Sequence, residues 1–528
     1  MYGNRTGEIG RSGARYFAVR VVSKTLFIQL ERLGDLIQTT PLLTEYRAAN
    51  PDVEIHLLML DENRTALAGF GGVDHYHYLP QKLVGKLNHQ IDQNRDQAHP
   101  RAQSLMNDLA LPAFENLVNL THGALGCWLA DRLPARNKEG GLITPAGDWF
   151  WRGAWHAYLL AMPDFREHNR FNLVDLYRGA GPGGPVDSRR RPFINQADNL
   201  PFPVPEGRLV ALNPGASRAP RRWPADAFAK LTEQLIAQGF TPLLVGAPSD
   251  VATCGEVASQ LDSTIINVCG KTTVPEMAAL LARCDLLVSN DTGAIHIASA
   301  VGTRCVGLYG ASAWFSETAP WGDGHLIIQA ALDAPMSSLS VETVLTAISA
   351  AIGEASITTT GTETIWRTHL DADDPLGGIR YELLAAKLSE EALFMQHFRG
   401  AFAEILMGSD TANAAVPQCT LEADALAAAK ALTQMSVLAQ DALAKIQSQA
   451  LDAREHVEAL GKGLDSGLEA LIETADRLPH VAPPIYWLQW VLRTAPISTL
   501  SELLTLRAKE CLRAAQILET AVYLNQRT

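Results

Sequence analysis

A chain of 528 residues exceeds what one hydrophobic core can fill, so roughly two to four domains are expected. Apolar residues at 47% and charged residues at 19% exclude a disordered chain, and a net charge of −13 excludes general nucleic-acid binding, which needs a basic excess. The seven cysteines are scattered and include no CxxC pair, and no apolar run reaches 18 residues, so neither a disulfide framework, a cysteine zinc site nor a membrane span is expected.

The first elements lie within residues 25–190. Basic residues Arg5, Arg11, Arg15, Arg20 and Lys24 precede them, without the apolar core of a secretory signal, so a cytoplasmic chain is expected. TLFIQL (25–30) is a short continuous apolar run, the mark of a buried parallel strand. A turn at Gly34 and a helical stretch to Ala49 follow, with Pro41 as an expected irregularity. VEIHLLML (53–60) and ENLVNL (115–120) read as further strands, and 81–110 as polar helix. From Gly140 to Trp155 no period emerges, and an acceptor-facing loop and a packed insertion fit the aromatics there equally. Five Gly, six Pro and Arg189-Arg190-Arg191 mark 179–207 as a linker.

Residues 208–352 repeat strand, loop and helix. RLVALN (208–213), TPLLVG (241–246), TIINV (264–268), DLLVSN (285–290) and RCVGLYG (304–310) are the strands. Such alternation implies a parallel sheet with right-handed crossovers, whose ligands sit beyond the carboxyl ends of its strands. Beyond residue 353 no strand is expected. This region carries 14 Lys and Arg against 23 Asp and Glu, so most of the negative charge resides there. Leu421, Ala425, Ala428, Leu432, Met435, Ala439, Ala442 and Ile446 step by three and four, a seam for helix on helix. Thr499 and Glu502 form a capping box for a last helix. Asp371, Asp373 and Asp374 are read as preceding a turn rather than as a metal site.

Chemistry concentrates at strand-to-helix junctions. In NPGASRAPRRWP (213–224), Gly215 admits an anion to backbone N–H groups, Ser217 adds a hydroxyl and Arg221 a charge, as a diphosphate needs; a solvated Arg loop would fit as well. Asp250 in GAPSD can accept from ribose hydroxyls or cap a helix. In KTTVPE, Thr273 and Glu276 form a capping box, leaving Lys271 and Thr272 functional by position alone. NDTGAIHIASA places Asp291, Thr292, Gly293 and His296 where a helix N-terminus seats a phosphate; a cap and a packed histidine are the alternative. RLGDLIQTTP puts Asp35 at a similar junction in the first region, as a base or as a cap.

RLGDLIQTTPLL, LNPGASRAPRRWP, LLVGAPSD, GKTTVPEMAALLARCDLLVSNDTGAIHIASAVGT and VGLYGAS, in that order, resemble glycosyltransferase family 9, whose best-known members are ADP-heptose:lipopolysaccharide heptosyltransferases. The resemblance implies a GT-B fold: two Rossmann-like domains facing a cleft, here 1–190 on the acceptor side and 208–353 for the nucleotide sugar, joined by 191–207. An all-α extension, 354–528, follows for docking or oligomerisation. It further implies an inverting transfer without metal or cofactor from an ADP-heptose-type donor. The implied acceptor is a glycan or glycolipid such as lipopolysaccharide core, met peripherally at the inner face of the membrane. By position, Asp35 matches the general base. Ser217, Arg221, Asp250, Thr272, Asp291, Thr292, Gly293 and His296 match donor contacts, with Arg221 where relatives often have Lys. Another donor, a protein acceptor or an epimerase activity on the same fold are the rival readings, as is a degenerate sugar-nucleotide-binding scaffold. Retention of Asp35, Arg221 and Asp291 together disfavours the scaffold.

Overall fold

The computed structural model describes residues 23–385 apart from short segments, the longest being 183–189. Beyond that it describes chiefly 422–447, 464–475 and 500–523. Arg5 to Arg20, Arg189, Asp371, Asp373, Asp374, Cys419, Leu421 and Thr499 lie outside the described residues.

Two sheets form. The first has strands β1 (Lys24–Gln29), β2 (Glu54–Leu60), β3 (His75–Leu79), β4 (Phe114–Asn119), β5 (Ala135–Ile143) and β6 (Trp149–Arg152), ordered β3-β2-β1-β4-β5-β6. Only β6 runs antiparallel to its neighbour. The continuous apolar runs 25–30 and 53–60 are buried on both faces, as helices covering a parallel sheet require. The described parts of the stretch 140–155 form the β5–β6 pair, which holds the buried Trp151, and the start of the helix Ala154–Ala161, which buries Trp155. β3, HYHYL, escaped the sequence reading because its polar His and Tyr residues mask a strand at the sheet edge.

The second sheet comprises β7 (Arg208–Asn213), β8 (Phe240–Leu244), β9 (Ile266–Asn267), β10 (Leu286–Asn290), β11 (Arg304–Tyr309) and β12 (Leu326–Gln329), extended by β13 (Thr364–Leu370) and β14 (Ile379–Ala385). Its order is β14-β13-β12-β11-β10-β7-β8-β9. Taken from β9 to β12, this is the 3-2-1-4-5-6 order of dinucleotide-binding folds, with the crossover reversing between β7 and β10. A ligand crevice belongs at that reversal. The two last strands correct the expectation that none occurs beyond residue 353. They form an antiparallel hairpin on the edge of β12, and Trp366 stacks on Phe315 while Tyr381 meets the same ring edge-on. Short runs broken by charge, such as TIWRTHL, give no continuous apolar signal.

Pro41 does not interrupt its helix, which runs unbroken from Leu33 to Ala49. Proline removes the N–H that would serve the carbonyl of Ile37, and the Thr40 hydroxyl donates to that carbonyl instead, at 2.7 Å. In the helical extension, helices Glu422–Gln447 and Leu500–Tyr523 pack together. Ala428, Leu432, Met435 and Ala439 face Ala508, Cys511 and Ala514, and Ser436 donates to the Ala508 carbonyl. This seam shares one core with Trp155, Tyr158 and Phe171 of the first domain, and the Trp487 indole donates to the Ala154 carbonyl. The extension therefore docks on the first domain.

The two sheet domains meet closely. Linker residue Asn195 donates from its backbone to Ala66 of the first domain, and Ala197 to Pro275 of the second. A side chain on Gly34 would lie 2.7 Å from the His296 ring, so only glycine allows the helices Leu33–Ala49 and Gly293–Val301 to approach as they do.

Candidate active site

The carboxyl ends of β1 and β10 both turn directly into helices, and the two helix N-termini converge. Such ends carry free backbone N–H groups and the positive pole of the helix dipole. Asp35 occupies the first turn of its helix. Its Oδ2 accepts from the Arg32 backbone N–H at 3.2 Å, which is the capping role, and its Oδ1 accepts from the Tyr177 hydroxyl at 3.3 Å. Burial pushes the carboxyl up to about 6, with the nearby Glu31 charge adding to the rise and His122, Tyr177 and Arg32 opposing it. Proximity to a helix N-terminus would by itself hold the carboxyl low. Desolvation outweighs the dipole here. Tyr177 lies fully buried on helix Leu173–Ala180, and Glu31 accepts from the backbone N–H groups of His122 and Gly123.

In the second domain, Asn290 organises the loop after β7. Its side chain donates to the carbonyls of Pro214 and Gly215 and accepts from the Trp223 backbone N–H. Arg221, thus placed, donates to Asp291 Oδ2 at 2.9 Å, while the Thr318 hydroxyl donates to Oδ1 at 2.8 Å. Burial raises the Asp291 carboxyl, and Arg221 counters the rise. Thr292 is the N-cap: its hydroxyl accepts from Ala294 N–H and from the Asn213 side chain. Gly293 opens the helix. His296 is buried against Gly34, and burial holds its imidazole neutral, down at about 4.

Ser217 is exposed on the loop. Asp250 accepts from the Ala247 backbone N–H at 2.9 Å and lies over Gly215, where an added Cβ would come within 2.2 Å of its carboxyl carbon. Thr273 and Glu276 form the expected capping box. The hydroxyl of Thr272 is buried with no hydrogen-bond partner among the described residues, which is costly unless a ligand supplies one. The structure thus gathers Asp35, Arg221, Asp291, Thr292, Gly293 and His296 at the converging helix ends, and Asp250 with Gly215 beside them.

A model of one family, glycosyltransferase family 9 (heptosyltransferase), matches residues 189–345, which hold the whole β7–β12 unit. Residues 189–345 are thus similar to that family's domain. Among relatives of the full chain, a lipooligosaccharide heptosyltransferase 2 of Haemophilus influenzae is 36% identical over 24% of this chain and 37% of its own. A lipopolysaccharide heptosyltransferase 3 of Escherichia coli is 24% identical over 53% of this chain and 80% of its own. The chain thus spans little more than a third of the first of these. Among solved structures, an ADP-heptose lipopolysaccharide heptosyltransferase II of Escherichia coli aligns over 62% of this chain and 98% of its own at 21% identity, with a TM-score of 0.45.

The structure adds residues to the site that sequence reasoning missed. Thr318 and Glu317 follow β11. Glu317 pairs with Arg166 of the first domain at 2.6 Å, and burial pushes its carboxyl up to about 7, with Arg166 opposing the rise. Tyr177 sits in LVDLYRGA, a segment with no motif around it. The strong amphipathic pattern of that helix was the available signal for burial, but not for its partner Asp35.

Proposed function

We propose that this chain transfers heptose from a nucleoside-diphosphate donor of the ADP-heptose type to a glycan acceptor such as lipopolysaccharide core, with inversion at the anomeric carbon. One observation carries the reading. A half-buried carboxylate with no ion-pair partner among the described residues, Asp35, faces a domain similar to family 9 whose helix N-terminus and Arg221 suit a diphosphate. The names borne by the relatives supply the sugar and acceptor class.

Asp35 takes the proton from the acceptor hydroxyl as its oxygen attacks the anomeric carbon. The bond from that carbon to the diphosphate oxygen breaks, and the electron pair leaves with the nucleoside diphosphate. A single displacement of this kind inverts the centre. The free N–H groups before Ala294 and the Arg221 guanidinium meet the growing charge on the leaving group, a part that needs no metal ion. Asp291, held by Arg221 and Thr318, orients the guanidinium and borders the sugar. Asp250 and the Thr272 hydroxyl receive the nucleoside, and Ser217 reaches the diphosphate when the loop closes on it.

Among the described residues no helix is long and apolar enough to cross a membrane. A glycolipid acceptor is met peripherally at the inner face of the membrane. Incubation of the full chain with ADP-heptose and a deacylated lipopolysaccharide core tests the proposal, with release of ADP and the product's anomeric configuration as readouts. Transfer that persists in excess EDTA with inverted configuration supports it. A retained configuration, or release of ADP from other nucleotide sugars alone, overturns it.

A further inference from the structure

At the opposite edge of the first sheet, three side chains converge that the proposed transfer does not use. Glu54 and His56 point to the same face of β2, and His75 stands beside His56 in the parallel register with β3. Glu54 Oε1 lies 2.9 Å from His56 Nε2 and 3.0 Å from His75 Nε2. The His56 and His75 rings stack with centroids 4.6 Å apart, and their nitrogens and the carboxylate lie within 4.8 Å of one another.

We infer that Glu54, His56 and His75 form a zinc-class metal site of two imidazoles and one carboxylate. Zinc bonds of about 2.0–2.2 Å in tetrahedral array set ligand atoms about 3.3–3.5 Å apart, so the two separations from Glu54 need only a few tenths of an ångström of expansion. The second shell is also in place. His56 is buried and its Nδ1 lies 2.9 Å from Nε2 of His77, so an Nδ1–H donated to His77 leaves the Nε2 lone pair for the metal. His75 is half exposed and leaves an entry path with room for a water as fourth ligand. The cation now at the carboxylate is Lys24, whose ammonium donates to Glu54 Oε1 at 2.7 Å. A bound ion displaces it towards solvent, where it is already one-third exposed.

The site lies at the amino ends of the strands, whereas the converging helices lie at the carboxyl ends. Along β2, Glu54 and Leu60 are six residues apart, about 20 Å at the usual strand rise. The ion therefore ties β2 to the edge strand β3 rather than taking part in transfer, and the inference is independent of the proposed function.

The test uses the full chain without any histidine tag, stripped with chelator and titrated with Zn²⁺ against a chromophoric chelator, with thermal melting alongside. One equivalent should bind and raise Tm. His75→Ala, at an exposed position that does not threaten folding, should weaken binding at least tenfold and abolish the Tm rise. His77→Phe should weaken it about 10- to 100-fold through the second shell. Lys24→Ala, which removes the competing cation, should tighten it. Failure of the wild-type chain to take up Zn²⁺, or equal affinity in His75→Ala, overturns the site. An affinity unchanged or lowered in Lys24→Ala shows instead that the cluster is a hydrogen-bond network about Glu54.

Discussion

Asp35 and Asp291 stand in matching places, each at a strand-to-helix junction, each half-buried, each facing the other domain, yet they are held in opposite ways. Both oxygens of Asp291 are engaged by short bonds, one from the Arg221 guanidinium and one from Thr318. Asp35 has two longer contacts, from a backbone N–H and from Tyr177, and no cation within ion-pair distance among the described residues. Burial raises both carboxyls, but only around Asp291 does an arginine's charge offset the rise. The difference separates a carboxylate that fixes geometry from one that can gain and lose a proton. A base must not be neutralised by a permanent partner, whereas a positioning group gains from one.

The largest way to break the comparison is to remove the poised member. Asp35→Asn keeps the shape and the backbone cap but cannot accept a proton, so kcat should fall by about 10²- to 10⁴-fold while ADP affinity stays nearly unchanged. The same variant should melt at a higher temperature above pH 6. The sign follows from the raised carboxyl: the folded chain holds the Asp35 proton more tightly than the unfolded chain. That contribution is fully present below about pH 4 and is lost as the pH climbs through about 6. Asparagine, which carries no charge, escapes the loss. A variant with wild-type turnover would make Asp35 a cap alone.

Removing the cation from the fixed member should do less to turnover and more to binding. Arg221→Ala leaves Asp291 half-buried and without its charge-assisted partner, and strips a cation from the diphosphate seat. Affinity for ADP should fall by roughly 10- to 100-fold, as isothermal titration would show. Arg221→Lys should recover much of it, because the charge survives although the planar fork does not. Equal losses in both variants would point to the guanidinium geometry as the essential feature.

The contrast also explains what could be read in advance. The parallel strands, the junction loops and the ordered motifs were legible because continuous apolar runs bounded by Gly, Pro and Asn state their own boundaries. Asp35, Arg221, Asp250 and Asp291 sit in those loops, so their positions could be found from local sequence. Their partners could not. Tyr177 lies 142 residues from Asp35 and Arg166 lies 151 from Glu317, and no local pattern couples residues so far apart in the chain. The strands β13 and β14 were missed for a related reason. A two-stranded edge hairpin is only half buried, so charged residues interrupt its pattern, and its stability comes from pairing with β12. The seam at 428–439 was visible as a helical period, but not the surface of the first domain on which it rests.

A finer lever is Gly215, which lets Asp250 lie against the loop that follows β7. Gly215→Ala places a methyl carbon 2.2 Å from the Asp250 carboxyl carbon, and one of the two must move. The expected result is a loss of about tenfold in ADP affinity, the worth of roughly one hydrogen bond, with Tm changed little because Asp250 is only half buried. Undiminished ADP binding would remove Asp250 from the nucleoside contacts while leaving Asp35 and Arg221 untouched.

The smallest change tests the balance at Asp35 itself. Transfer should require the ionised carboxylate, so the rate should rise with pH through an inflection near 6 in the free enzyme and level off above it. The Tyr177 hydroxyl donates to Oδ1 and thereby favours the charged form, opposing burial. Tyr177→Phe removes that donor but keeps the ring in its buried place. The carboxyl should then hold its proton to higher pH, moving the acid limb of kcat/KM upward by a fraction of a unit, while the plateau rate at high pH stays close to wild type. A structural fault would behave otherwise, lowering the plateau and leaving the inflection where it was. Asp291 offers the control, because its partners do not include Tyr177. Thr318→Val should weaken donor binding without moving the limb, so that one substitution shifts the pH profile and the other shifts only KM.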